Sequence, residues 1–94
     1  MSLKYPNKNI SVIIIAYNAE TTIKEIINDI PRDFVDDVIV GDDYSTDSTF
    51  ELIKEIDGII IHRNDTNKGM GGNLKVLINI AIENNSDIII QLHG

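Results

Sequence analysis

"ISVIIIAYNAETTIKEIINDI", residues 10–30, changes its hydrophobic period midway. Up to Tyr17 the residues are β-branched and apolar almost without a break, which is how a strand covered on both faces of a parallel sheet reads. From Ile23 onward the apolar residues Ile23, Ile26, Ile27 and Ile30 fall at i, i+3, i+4 and i+7. That is a one-sided helical stripe, ended by Pro31. A strand that runs straight into an amphipathic helix is the first half of a βαβ unit.

The alternation then repeats. "DVIVG" (37–41), "GIIIH" (58–62) and "DIIIQLH" (87–93) are three more short apolar runs. Leu52, Ile53 and Ile56 form a shorter helical stripe before the Asp57-Gly58 turn. A third helix is expected over Leu74 to Glu83, with Leu77, Ile78 and Ala81 on one face and Val76, Ile80 and Ile82 widening it. The order βαβαβαβ with right-handed crossovers predicts an α/β fold, three layers of α/β/α around a parallel sheet. Residues 1–9 read as a disordered or tag-derived tail, and residues 10–94 as one unit.

Composition narrows the function. The chain has 94 residues, 43% of them hydrophobic, with 15 acidic against 8 basic side chains and a formal net charge of -7. Nucleic acid and anionic membrane surfaces need clustered cations, so neither is expected as a partner. An acidic chain suits a cation or a metal-bound anion. There is no cysteine, which excludes disulfides and thiolate metal sites and is compatible with a reducing cytoplasm, the expected location. The longest unbroken apolar stretch, Val12 to Tyr17, is far shorter than the ~20 residues of a membrane span.

In open parallel sheets, ligands bind beyond the carboxyl ends of the strands. The unusual residues of this chain lie there: "AYNAET" after the first run, "GDDYSTDST" after the second, "RNDTNKGMGGN" after the third and "HG" after the fourth. Adjacent Asp42 and Asp43 repel unless they diverge or meet donors, and one of them can accept from a nucleobase N–H or a ribose hydroxyl. Ser45, Thr46, Asp47 and Ser48 suit a turn and a helix cap, with Ser48 and Glu51 at capping-box spacing. Tyr17 can stack on a base or sit half-buried in the core. Asn18 suits a helix cap better than a ligand contact. Gly69, Gly71 and Gly72 precede a helix, where N–H groups can face an anion. They do not make the dinucleotide fingerprint, which belongs after the first strand, nor a P-loop. Lys75 can meet a phosphate from the next turn. His62 reads as a strand-end residue, whereas His93 follows the fourth run on the ligand edge.

"VIIIAYNAETTI", "VIVGDDYSTDST" and "NKGMGGNLK" together resemble, in order and spacing, the N-terminal motifs of family 2 glycosyltransferases, over residues 10 to 94. "IIIQLHG" looks like the strand leading into that family's Asp-x-Asp metal motif, with His93 at the first Asp position. The resemblance implies the N-terminal half of a GT-A Rossmann-like fold with strand order 3-2-1-4, a nucleotide-diphospho-sugar as partner, and inverting transfer with Mg²⁺ or Mn²⁺ on the diphosphate. By position it implies a substrate-binding set of Ala16, Tyr17, Asn18, Asp42, Asp43, Asn67, Gly69, Gly71, Lys75 and His93. Tyr17 would meet the base, Asp43 the base or ribose, and Asp42 would support that loop. Neither a catalytic residue nor a metal ligand is assigned within the chain. The general base, the acceptor site and the last metal ligand are expected beyond Gly94, so the segment alone is expected to be inactive. Ile15, Ala19, Tyr44 and Met70 depart from the usual motif residues, Tyr44 replacing a glycine.

Two other classes stay in view. A receiver-like or regulatory α/β module also carries an acidic pocket, but its acidic pair follows strand one and its phospho-accepting Asp strand three, where this chain has Arg63 and Asn64. A nicotinamide-dependent oxidoreductase needs the glycines elsewhere. The fourth run has no proline, no lysine and no charge except Asp87 at its start, so it reads as an unguarded sheet edge and predicts a two-fold homodimer.

Overall fold

A computed structural model describes residues 7–94. The tail expected over residues 1–9 lies, up to residue 6, outside the described residues, while Asn9 is fastened to the fourth strand by a 2.8 Å bond from its N–H to the Asp87 carboxylate. The four apolar runs become β1 (Ile10–Ala16), β2 (Asp37–Asp42), β3 (Ile60–Arg63) and β4 (Ile88–His93). All pairings are parallel, in the order β3-β2-β1-β4. The most continuously apolar run takes the middle of the sheet. Every residue of β1 is buried, and Val12 stands opposite Val38 on one side and Ile90 on the other.

The pleat sends alternate residues of β1 to opposite faces. Val12, Ile14 and Ala16 meet Val38 and Val40 under α1 (Ile23–Asn28) and α2 (Thr49–Lys54), which contribute Ile23, Ile27 and Ile53. Ile13 and Ile15, with Ile39, pack under α3 (Gly69–Glu83) through Leu77 and Ala81. Each fully buried isoleucine stabilises the fold by about 1.5–3 kcal/mol relative to exposure. The result is the expected three layers. Among the described residues no helix is long and apolar enough to cross a membrane.

Two elements differ from the periodicity. A short 3-10 turn, Arg32–Phe34, follows Pro31, and α3 begins at Gly69 rather than Leu74. Glycine is a poor helix former by about 1 kcal/mol per residue, so propensity alone disfavours this start. Side chains outside the helix set it instead: Asn67 Oδ1 accepts the Gly69 N–H at 3.0 Å and Asp43 Oδ1 the Lys68 N–H at 2.8 Å.

Gly41 fixes how closely α3 lies on the sheet. A Cβ there would stand 2.6 Å from Leu77 Cδ2 and 2.7 Å from Asn73 Oδ1, whose amide donates to the Gly41 carbonyl at 2.9 Å.

Candidate functional site

The carboxyl ends of β1, β2 and β4 and the start of α3 surround a cleft of about 340 Å³. Tyr17, Asn67, Met70 and His93 are its exposed side chains. Asp43 and Ile15 lie deeper, with Asn67, Gly69 and Gly94 completing the wall. A larger gap of about 670 Å³ lies between β1, β4, α1 and the 3-10 turn. Its lining is apolar but for Asp29, without the converging polar groups that orient a ligand, so the smaller cleft is the candidate site.

The aspartate pair divides its work. Asp42 is fully buried; its Oδ2 accepts the Ser45 N–H at 3.1 Å and pairs with Arg63 Nε at 3.2 Å, and its Oδ1 accepts the Ser45 hydroxyl. Arg63 also donates to the Ser45 carbonyl and lies against the rings of Tyr44 and Phe50, 5.2 and 4.7 Å from their centroids. Asp42 therefore holds the turn. Asp43, 3% exposed, points its Oδ1 at the Lys68 N–H and the Asn64 amide, both at 2.8 Å. Its Oδ2 has no hydrogen bond among the described residues, where every fully buried side-chain polar atom has a partner. Like charges stand side by side because each has its own donors.

Of the expected residues, Tyr17, Asp43, Asn67, Gly69 and His93 line the cleft. The other five do not. Ala16 is buried, and its carbonyl accepts the Asp43 N–H at 2.9 Å, so it positions Asp43 through the main chain. Asn18 adopts φ 48° and bridges two loops: its N–H donates to Ser45 Oγ and its Oδ1 accepts the Thr46 N–H. The expected cap role fails because α1 starts later, with Thr22 as its N-cap. Asp42 sits behind the turn, while Gly71 and Lys75 are exposed on α3 away from the cleft wall. Asn67 also donates to the Asp43 carbonyl at 3.3 Å, tying the third loop to the second. His93 is joined to Gln91 by a 2.9 Å bond.

The Ser48–Glu51 capping box does not form; Glu20 from the first loop and the neighbouring Asp47 serve the helix start instead. The Ser48 N–H is taken by Glu20 Oε2 at 3.0 Å, and Asp47 Oδ1 caps the Thr49 N–H at 2.9 Å. Asp47 also accepts the Thr49 hydroxyl, and its Oδ2 the Glu20 N–H. Burial alone would raise its pKa, but the bonds from Thr49 and Glu20 outweigh it and hold the carboxyl below its ordinary value of 3.8. A depressed folded-state pKa adds stability above the unfolded value, and that stability is lost as pH falls through the folded one. Asp47→Asn should therefore flatten the acid limb of stability below about pH 4. Urea midpoints of both proteins at pH 3 and pH 6 test this, and parallel losses would contradict it.

Two departures from the usual motif residues have structural consequences. Tyr44 adopts φ 63°, a left-handed backbone that costs a side-chain-bearing residue roughly 1–2 kcal/mol. Its ring contact with Arg63 offsets about 0.5–1 kcal/mol of that. Met70, 60% exposed, presents an apolar rather than a basic group to the cleft.

Sequence reading passed over Asn64 and Asn73, which are 1% and 0% exposed. One signal was available for Asn73: it stands four and eight residues before Leu77 and Ala81, in the buried stripe of α3. Among the described residues no three His, Cys, Asp or Glu side chains converge on a metal position. Among the described residues His93 and Asp43 are the only imidazole and side-chain carboxylate that line the cleft, whereas Mg²⁺ is usually held by one or two carboxylates together with substrate phosphates and water. GT-A enzymes generally use a divalent metal. The residues present here do not make up such a site.

Comparison with known proteins follows this geometry. Among solved structures, Staphylococcus aureus TarS 1-349 superposes with a TM-score of 0.75 at 26% identity, covering 90% of this chain and 27% of that one. Its complex with UDP gives 0.68 over the same shares. With the strand order, this makes the fold the N-terminal half of a GT-A Rossmann-like fold. A UDP-N-acetylglucosamine–dolichyl-phosphate N-acetylglucosaminyltransferase of Methanococcus voltae is 30% identical over 100 residues, 89% of this chain and 40% of that protein. The uncharacterized protein MJ1222 of Methanocaldococcus jannaschii is 35% identical over 81 residues, 86% and 33% of the two. The chain thus spans a third to two-fifths of the length of these relatives. The Glycosyl transferase family 2 profile matches residues 11–91, nearly the whole of the described sheet and its helices, and the chain belongs to that family.

Proposed function

We propose that this chain holds the nucleotide of a UDP-sugar donor, the base entering the cleft beside Tyr17 and meeting Asp43. The observation that carries this reading is the division of the Asp43 carboxylate: Oδ1 is occupied by two donors while Oδ2 has none. Such an oxygen is suited to the N3–H of uracil. Stacking on Tyr17 adds about 1–3 kcal/mol. The first turn of α3, which starts at the cleft with Gly69 at φ 76°, offers N–H groups on the side of the diphosphate. The UDP complex of the TarS neighbour and the UDP-sugar named for the Methanococcus relative support this choice of nucleotide. Calorimetric titration tests it, with UDP expected to bind in preference to ADP and CDP; equal binding of all three would remove the assignment.

The reaction class is transfer of the sugar with inversion, an acceptor oxygen displacing the nucleoside diphosphate at the anomeric carbon. Asp43 is the only carboxylate lining the cleft among the described residues, and binding the base occupies it. The chain by itself should therefore bind donor without transferring sugar.

The open side of β4 supports a further proposal. Among the described residues β4 pairs with β1 on one edge only, and Ile90 on it is 44% exposed beside the apolar gap that Phe34 also lines. A second copy of the chain can pair with this edge about a two-fold axis, satisfying both strands at once. Light scattering at micromolar concentration should give a dimer mass, and a monomer across that range would dismiss the idea.

A further inference from the structure

The apolar clusters on the two faces of the sheet leave two large side chains at the cleft unused. Tyr17 and Met70 are both exposed, and neither belongs to either cluster. They reach the cleft from different layers. Tyr17 follows β1, two residues beyond Ile15, and Asp43 follows β2, so the strand ends form its floor. Met70 comes from the first turn of α3, the helix that covers this face of the sheet through Leu77 and Ala81. A nucleobase is flat, with two faces and one rim. With a rim atom at Asp43 Oδ2 and one face on Tyr17, the second face falls to whatever else lines the cleft. Gly69 and Gly94 have no side chain to offer, and Ile15 is buried. Asn67 turns both amide atoms to the main chain, Nδ2 to the Asp43 carbonyl at 3.3 Å and Oδ1 to the Gly69 N–H at 3.0 Å. His93 is held by Gln91 at 2.9 Å. Of the remaining wall, Met70 alone is both apolar and exposed.

We propose that Met70 is a base-contact residue whose side chain folds over the face of the uracil that Tyr17 leaves open, so that the ring is held between a phenol and a thioether. This rests on the nucleotide reading above and supplies the second wall of the slot. Methionine suits the task. Its unbranched chain has three rotatable bonds with which to follow the ring, and its polarisable sulfur is attracted to aromatic groups. Closing it over the base also takes apolar surface of both partners out of water. The contact is with the nucleobase and not the diphosphate, so it strengthens the binding of uridine as much as that of UDP.

The test follows the Met70 methyl group by nuclear magnetic resonance in the 94-residue chain labelled with ¹³C-methyl methionine. The sequence holds two methionines, Met1 and Met70, so at most two signals appear, and Met70→Leu identifies the second. Added UDP should move the Met70 signal upfield, because a methyl group over a ring face is shielded, and uridine should move it in the same direction. A signal that stays in place while UDP binds overturns the proposal and leaves the Asp43 reading standing. Titrations of the variants give an independent measure. Met70→Ala should weaken UDP and uridine alike, about 2- to 10-fold, and Met70→Leu, apolar and of similar volume, should lose less. A loss confined to UDP would put Met70 at the diphosphate and overturn the role, as would unchanged affinity for both ligands. A wild type that does not bind UDP removes the underlying site reading and this role with it.

Discussion

Gly41→Ala should cost this chain about 3–5 kcal/mol, a large part of the roughly 5–15 kcal/mol that holds a domain together. The added methyl meets two partners at once, Leu77 Cδ2 at 2.6 Å and Asn73 Oδ1 at 2.7 Å. Neither yields readily. Leu77 is fully buried on the single helix that covers that face of the sheet, and Asn73 is engaged at both ends of its amide. If α3 lifts to make room, the Asn73–Gly41 bond breaks in a dry place. Urea denaturation followed by far-ultraviolet circular dichroism measures the loss. Gly41→Ala combined with Leu77→Ala provides the control, because space freed by the smaller side chain should make the double variant less damaged than the two losses added. A Gly41→Ala midpoint equal to the wild type would mean that α3 does not lie this close.

Asp43→Ala should lower UDP affinity about 10- to 100-fold, the effect of losing a hydrogen bond to a charged group worth roughly 1.5–3 kcal/mol. It should also loosen the start of α3, since Oδ1 holds the Lys68 N–H. Asp43→Asn separates the two effects. The amide can still accept at Lys68 through its oxygen, but it presents N–H₂ to the base, where uracil also donates. Asp42→Ala should behave differently, because Asp42 is wholly buried and spends its oxygens on Ser45 and Arg63. It should unfold earlier while the folded fraction binds UDP with nearly wild-type affinity. Calorimetry at a temperature where every variant is folded decides the matter, and a greater affinity loss from Asp42→Ala would reverse the division of labour within the pair.

The sheet was legible because its strands are buried on both faces and their sequences say so directly. Ile10 to Ala16 is apolar but for Ser11, and the pleat alone assigns Ile13 and Ile14 to opposite layers. The stripe of Ile23 and Ile27 likewise marked its inward face. Helix starts were less legible. α3 begins where Asp43 reaches it from the second loop and Asn67 from two residues before it, and the first turn of α2 is served by Glu20 and Asp47 rather than by Ser48. No local pattern contains Asp43 or Glu20. The motif residues pointed to the edge where the cleft lies, yet could not separate Asp43, which lines it, from Ala16 and Asn18, which brace it. That distinction depends on which direction a loop turns after its strand. Asn64 and Asn73 escaped notice because an asparagine in a loop or a helix has many ordinary uses, and only packing shows these two to be buried.

The central place of β1 also sets a timetable for synthesis on the ribosome. Its pairing with β2 closes a short loop, the Ile10 N–H reaching Asp36 across 26 residues. Its pairing with β4 waits until the Asn9 N–H can find Asp87, 78 residues on. Long closures come late because more chain entropy is lost before any contact rewards it. A nascent chain can thus assemble β1, β2, β3 and the Asp43 amide network while one flank of β1 is still bare. The wall of the cleft made by His93 and Gly94 follows these, so the proposed donor site is not closed until β4 has emerged.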